Sequence, residues 1–306
     1  PLHRTERGQA LRRGRQGDTT MTTLIETESR SIEVSKPDKT LFPESGITKE
    51  ELARYYARIG ETMLPHVRDR AMTLHRFPDG IDAEGFIQKD APDYFPDWIE
   101  RHPLPKEDGE VDYVVANDVA TLVYLADQGC ITPHVTLSRV DKPDRPDRMV
   151  FDIDPPEELD DLHLLHHAVR MVGEVIDGMG VDMFLMTTGS KGYHIVVPLD
   201  RSDDFDTIRH QAKAVADRVV EENPDLLTVA QRKAKREGRV FVDYLRNSYG
   251  QTTVAPYAVR ALERRPVATP LDWDELGSSE PGKYTIENIF RRLSQKEDPW
   301  LRLTRS

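Results

Sequence analysis

The stretch Met149–Pro156 reads M-V-F-D-I-D-P-P. Side chains alternate faces along a strand, so Asp152 and Asp154 share one face while Phe151 and Ile153 point into the opposite layer. Two carboxylates that close repel unless a cation lies between them, and a hard divalent ion with oxygen ligands is the usual solution. Pro155 and Pro156 end the strand and leave Asp154 open to a ligand. The same residues also suit a strand that runs into an acidic, solvated turn. A third carboxylate lies in R-V-F-V-D-Y (239–244). There Asp243 is embedded in an apolar run, where a charge must be solvated, paired or metal-bound. Three converging carboxylates suit two-metal phosphoryl or nucleotidyl transfer: one ion lowers the pKa of an attacking hydroxyl and the other neutralises a leaving pyrophosphate. The alternative for Asp243 is an edge-strand residue paired with Arg239 or Arg246.

Between the two acidic strands lies T-T-G-S-K-G-Y-H (187–194). Two glycines permit a tight backbone, Thr188 and Ser190 offer hydroxyls, and Lys191 and His194 can reach phosphate oxygens. The Walker spacing is absent and a strand follows where a Walker loop needs a helix, so this is a phosphate cradle of another kind or a plain glycine-rich hairpin turn.

These residues need a scaffold. Thr48-x-x-Glu51 is a capping-box signature, and Leu52, Tyr55, Tyr56, Ile59 and Met63 keep helical spacing, predicting a helix from about 49 to 64. A second follows Asp118 and stops near Gly129. Apolar runs at 111–115, 149–154, 182–187, 193–198 and 239–244 predict short strands, with helical stretches at 159–178 and 206–222 between them. Strands alternating with helices predict a mixed α/β fold, with mixed sheets flanked by helices. No repeat and no low-complexity tract is present.

Composition bounds the function. The chain has 306 residues, 38% hydrophobic and 31% charged, enough for a substantial core. No window approaches the ~18 uninterrupted apolar residues of a membrane-spanning helix, and no leader pattern opens the chain, so neither membrane insertion nor secretion is expected. The single cysteine, Cys130, cannot form an internal disulfide or a Cys-rich zinc cluster, which fits a cytoplasmic protein. The net charge of −12, taken alone, argues against a polyanionic partner. Charge is uneven, however: residues 226–265 hold nine basic side chains against three acidic ones. Residues 1–20, with five Arg and little apolar content, read as an upstream extension without a fold of its own, ahead of an expected start at Met21.

Taken in order, D-I-D, then T-G-S-K-G-Y-H, then V-F-V-D leading into N-S-Y-G-Q-T-T-V-A-P-Y-A-V-R, the motifs resemble the archaeo-eukaryotic primase superfamily, and within it the polymerase domain of bacterial ligase D, an enzyme of non-homologous end joining. The likeness spans about residues 31–300 and includes V-A-T-P-L-D-W-D-E-L at 267–276. It implies one primase–polymerase domain over 21–306, standing alone, since no ligase or nuclease segment is seen. Asp152, Asp154 and Asp243 match metal-binding carboxylates for two Mn2+ or Mg2+ ions, with Asp243 also the base or metal bridge for a primer 3′-hydroxyl. His134, Thr188, Ser190, Lys191, His194 and Arg260 match nucleotide contacts, Thr188 standing where Ser is usual. Lys39 and Lys49 match a pair that holds the 5′-phosphate across a gap, and Lys36 stands where Asn is common. Phe86 matches one of two adjacent template-stacking aromatics; the second position is Ile87.

The resemblance thus implies a DNA-directed nucleotidyltransferase. It would add NTPs or dNTPs, ribonucleotides preferentially, to primer 3′ ends in gapped DNA or at double-strand ends, with Ku and a separate ligase as partners and a nucleoid-associated location. Two rivals remain: a de novo primase, which the lack of cysteines for a zinc element disfavours, and a non-catalytic DNA-end scaffold, which would have no use for three repelling carboxylates.

Overall fold

A computed structural model describes residues 21–106, 108–157 and 161–303; the extension at 1–20 lies outside the described residues. Two antiparallel hairpins open the chain, β1 (Thr22–Glu26) with β2 (Ser31–Ser35) and β3 (Thr40–Phe42) with β4 (Ile47–Thr48). Helix α1 (Lys49–Val67) starts at the predicted capping box: the Thr48 hydroxyl accepts from the Glu51 amide and the Glu51 carboxylate accepts from that of Thr48. It outruns the predicted end, continuing past Pro65 to Val67, and in this last turn His66 is buried and paired with Asp298 at 2.5 Å.

Strands β5 (Met72–Arg76) and β6 (Phe86–Gln88), the hairpin β7 (Arg101–Lys106) with β8 (Gly109–Val114), helix α2 (Val119–Asp127) and β9 (Cys130–Thr136) follow. Then come β10 (Arg148–Asp154), α3 (Leu162–Asp177), β11 (Phe184–Thr187), β12 (Tyr193–Pro198), α4 (Phe205–Glu222), β13 (Leu227–Thr228) and β14 (Val240–Asp243). Strands β15 (Thr252–Val254) and β16 (Thr269–Leu271) and helix α5 (Ile289–Leu293) close the chain.

Two sheets carry the architecture. The larger runs β13-β14-β10-β12-β11-β16, antiparallel except for the parallel pair β13 and β14; the smaller runs β15-β9-β5-β6. The mixed sheets flanked by helices agree with the expected fold class. As the alternation in β10 requires, Phe151 and Ile153 face α3 and α4, packing with Val169, Val172, Ala212 and Val219, while Val150 joins Met186 and Val196 in the core shared with α1, α2 and the smaller sheet. Each such fully buried aliphatic or aromatic side chain contributes about 1.5–3 kcal/mol. The functional consequence is that one face of β10 is wholly apolar, and its polar residues share the other, Arg148 at the N-terminal end and Asp152 and Asp154 at the C-terminal end.

Candidate active site

Register assembles the site. In the pairing of β14, β10 and β12, Asp152 stands opposite Asp243 on one side and opposite His194 on the other. Directly opposed residues share a face, so three adjacent strands present Asp243, Asp152 and His194 in one row, with Asp154 two residues further along β10 on the same face. Asp243 Oδ1 accepts from the Leu245 amide at 2.8 Å. Arg246, on the 3-10 turn after β14, places Nε 3.6 Å from Asp243 Oδ2 and 3.7 Å from Asp152 Oδ2. His194 Nε2 lies 3.4 Å from Asp152 Oδ1, and that oxygen is buried with no hydrogen-bond partner.

Electrostatics follow the geometry. Burial raises the Asp154 carboxyl, and the Asp152 and Asp243 charges add to this, bringing it up to about 6. Burial and Asp152 likewise push Asp243 up. For Asp152 burial acts upward too, but His194, Arg246 and Arg260 outweigh it and hold the group below its ordinary value. Three carboxylates that resist joint ionisation, two of them buried and the third half-buried, one carrying an orphaned oxygen, form a donor set that fits a hard divalent cation.

A cavity of about 180 Å³ opens over this row, between the two sheets. It brings together seven of the residues singled out from the sequence, His134, Asp152, Asp154, Thr188, Ser190, His194 and Arg260, and adds Arg246, Thr252, Thr253 and Val254. Asp243 meets it through Arg246. His134 comes from β9 in the smaller sheet. Burial, then the Arg260 charge, lower its imidazole to about 3, so it is neutral at physiological pH. With Nδ1 3.2 Å from the Thr132 carbonyl, that nitrogen carries the proton and Nε2 is left an acceptor.

The 187–194 turn is rigid by construction. The Thr188 hydroxyl donates to the Gly192 carbonyl and accepts from the amides of Ser190 and Gly192. Gly192 is required, since a Cβ there would meet the Ile153 carbonyl at 2.3 Å; at Gly189, φ is +67° and a Cβ would lie 2.9 Å from the Arg260 stem. Arg260 returns the contact by donating from Nη1 to the Thr188 carbonyl at 2.9 Å. Lys191 departs from its companions: it is exposed and lines a neighbouring groove of about 470 Å³, which shares Ser190 with the carboxylate cavity.

The lysines sort differently from the sequence expectation. Lys36 is exposed, with φ +47°, and Lys39 is ion-paired to Asp79 at 2.5 Å. Lys49 is 7% exposed, and its ammonium donates to Ser35 Oγ (2.9 Å), Asp127 Oδ1 (2.8 Å) and the Asp127 carbonyl (3.0 Å). All three of its protons are engaged by protein oxygens. Phe86 stands on the edge strand β6, 45% exposed, with the Arg76 guanidinium 5.3 Å from its ring, outside the carboxylate cavity.

Arg246, Thr252 and Thr253 were not read as site residues. For Arg246 the signal in the sequence is its place three residues after Asp243, which the sequence offers only as one of two possible ion-pair partners of that residue. Another acidic group, Asp272, Asp274 and Glu275, brings its oxygens within 4.8 Å of one another. Lys296 Nζ lies 2.7, 3.3 and 3.3 Å from the three, so an ammonium already balances their charge and this is a structural knot.

Residues 48–300 match the family model of the LigD primase–polymerase domain. The chain belongs to this family. It is 32% identical over 271 residues to the multifunctional non-homologous end joining protein LigD of Mycolicibacterium smegmatis, covering 87% of this chain and 35% of the relative. To the bifunctional LigD of Bacillus subtilis it is 30% identical, with 88% of this chain and 43% of that protein covered. The chain therefore spans well under half the length of these curated relatives. The polymerase domain of Mycobacterium tuberculosis ligase D, solved in complex with DNA, superposes with a TM-score of 0.83 at 32% identity, covering 88% of this chain and 96% of that one. The family is one of nucleotidyltransferases of the primase–polymerase type, and the fold and enzyme class implied by the ordered motifs stand. Among the described residues no helix is long and apolar enough to cross a membrane.

Proposed function

We propose that this chain is a template-directed polymerase that adds nucleotides, ribonucleotides preferentially, to primer 3′ ends at gaps and double-strand ends during end joining. The observation that carries the reading is the row Asp243, Asp152, His194 with Asp154 beside it, set under a phosphate-sized cavity closed by Arg260. Asp152, Asp154 and Asp243 would hold two divalent ions, Mn2+ or Mg2+. When bound, such ions supply a lowered pKa for the attacking hydroxyl and neutralisation of the leaving pyrophosphate.

The chain's own residues do the rest. Arg260 and the Ser190 hydroxyl bind the triphosphate, and Lys191, from the adjoining groove, reaches only its outer end. His194, buried beside Asp152, orients that carboxylate and offers a further contact to phosphate. His134, neutral and with Nε2 as acceptor, takes a hydrogen bond from a sugar hydroxyl, which supports a preference for the nucleotide that carries one more of them. Asp243, raised by burial, is matched to receive or relay the proton of the primer 3′-hydroxyl. Lys36 and Lys39 serve the 5′-phosphate beyond the gap; Lys49 contributes indirectly, by fixing Ser35 next to the left-handed Lys36. Phe86 offers one stacking surface to the template. Residues 21–306 act as one domain, a reading supported by two apolar cores on opposite faces of a single sheet. Ku and a ligase activity are the partners this role calls for, in the cytoplasm at the nucleoid.

Primer extension on gapped, 5′-phosphorylated DNA with NTPs or dNTPs and Mn2+, comparing wild type with Asp152→Ala/Asp154→Ala, is the test. Extension by the wild type alone supports the reading, and more product from NTPs than from dNTPs supports the sugar preference. Equal extension by both proteins overturns the carboxylate mechanism, and none by either leaves a DNA-end scaffold. Products from template without primer would identify a de novo primase.

A further inference from the structure

Two of the groups that close the nucleotide cavity, His134 and Arg260, come from outside the carboxylate sheet, and one hydroxyl ties their segments together. Tyr56, on the face of α1 buried in the core, is 1% exposed. Its hydroxyl donates to the Ile131 carbonyl at 2.7 Å and accepts from the Val259 amide at 3.2 Å. Ile131 lies three residues before His134 on β9, and Val259 directly precedes Arg260. The Val259 carbonyl is held as well, by the Thr132 hydroxyl at 2.7 Å. Both backbone polar groups of Val259, the residue before Arg260, are thus fixed: the carbonyl directly to β9, which carries His134, and the amide to it through the Tyr56 hydroxyl.

The segment needs holding. Tyr257 sits at φ +66°, a conformation that a bulky side chain adopts only where its surroundings impose it. Tyr55, beside Tyr56 on the same helix, donates to the Tyr257 carbonyl at 2.8 Å. Past this strained residue the chain reaches Arg260, whose amide donates to the Pro266 carbonyl at 2.8 Å and whose guanidinium closes on Thr188. Helix α1 itself contributes nothing to the cavity wall. We propose that Tyr56 is a positioning residue for the nucleotide site, its hydroxyl setting Arg260 against His134 across the cavity. This rests on the reading of Arg260 as a triphosphate contact.

A hydroxyl that only satisfies buried backbone groups would lower stability when removed and leave nucleotide binding alone. A positioning hydroxyl moves binding, because small displacements of a clamping group weaken it steeply. Tyr56→Phe removes one oxygen and keeps the ring. The expected result is an affinity for ATP, titrated calorimetrically with Mn2+, about tenfold weaker, with KM for the nucleotide raised to match and kcat within about twofold. In an Arg260→Ala background the same change should have no further effect, since the ladders of β9 to β5 and β15 hold His134 without Tyr56. Thr132→Val, which frees the Val259 carbonyl, should give the same pattern and serves if Tyr56→Phe does not fold. If Arg260→Ala weakens ATP binding but Tyr56→Phe and Thr132→Val do not, or if their losses add to it, the positioning role is overturned and the nucleotide site stands. If Arg260→Ala leaves ATP affinity unchanged, the nucleotide reading of Arg260 fails and this proposal falls with it.

Discussion

Asp154→Asn is expected to make the metal-free protein more stable while abolishing its chemistry. Burial, with the Asp152 and Asp243 charges, brings the Asp154 carboxyl up to about 6. An acid raised on folding holds its proton more tightly in the native state than in the unfolded chain. Stability therefore falls as pH climbs from about 4 to about 6, and stays low above that. The rise from the ordinary 3.8 to about 6 corresponds to about 3 kcal/mol at 1.36 kcal/mol per pH unit. Residual access to water screens the charges and reduces the expected figure to about 1–2 kcal/mol. Asn has nearly the same shape and no charge, so the variant should recover that amount at pH 7.5 and melt a few degrees higher. Urea unfolding in EDTA at pH 7.5 and 4.5 measures it: the advantage should be present at the higher pH and shrink at the lower, where the wild type takes up the proton. Adding Mn2+ should reverse the order at pH 7.5, because the wild type gains about 2.7 kcal/mol at a hundredfold excess over its dissociation constant and the variant gains less. A variant no more stable than wild type in EDTA at pH 7.5, or an advantage indifferent to pH, would refute the electrostatic account of the site.

Lys49→Met should lower unfolding free energy by about 3–5 kcal/mol, because it strands Asp127 in the interior, and Lys49→Met/Asp127→Leu should regain most of that; an unmoved urea midpoint in the single variant would contradict the buried pair. Affinity for gapped DNA is expected to gain less than about tenfold from a 5′-phosphate, since Lys39 is already paired with Asp79 and only Phe86 is aromatic at the two positions proposed to stack on the template, a stacked base being worth ~1–3 kcal/mol. A large phosphate-dependent gain that Lys39→Ala removes would sink this. Arg246→Gln should tighten Mn2+ binding about three- to tenfold in titrations followed by electron paramagnetic resonance, since a guanidinium within 3.7 Å of two of the carboxylates competes for their charge; weaker binding would mean that Arg246 instead props the site open.

What the sequence made legible is what depends on neighbours in the chain. β10, β12 and β14 are apolar runs, and a charge inside such a run is conspicuous, so Asp152, Asp154, Asp243 and His194 stood out before any pairing was known. The smaller sheet was not legible: β9 carries Pro133, which removes a ladder donor from a strand that the structure places between two others. Its pairings are settled by tertiary contacts that no local pattern reports. Lys49 shows the same limit at a single side chain. It opens a capped helix, which predicts a solvated end, yet its partner Asp127 lies 78 residues away. Arg246 was hidden for the opposite reason, being one more basic residue in a basic stretch. The net charge of −12 is subject to the same distinction. It sums a whole surface, whereas the cavity's sign depends on which strands lie side by side. Four of the cavity's groups are acidic or cationic side chains that register and one clamped loop bring within reach of each other, Asp152, Asp154, Arg246 and Arg260. With divalent ions on the carboxylates the local balance turns positive while the bulk stays acidic. An acidic chain of this kind can engage DNA through focused contacts at an end or gap, and the same balance predicts little affinity for duplex that offers neither.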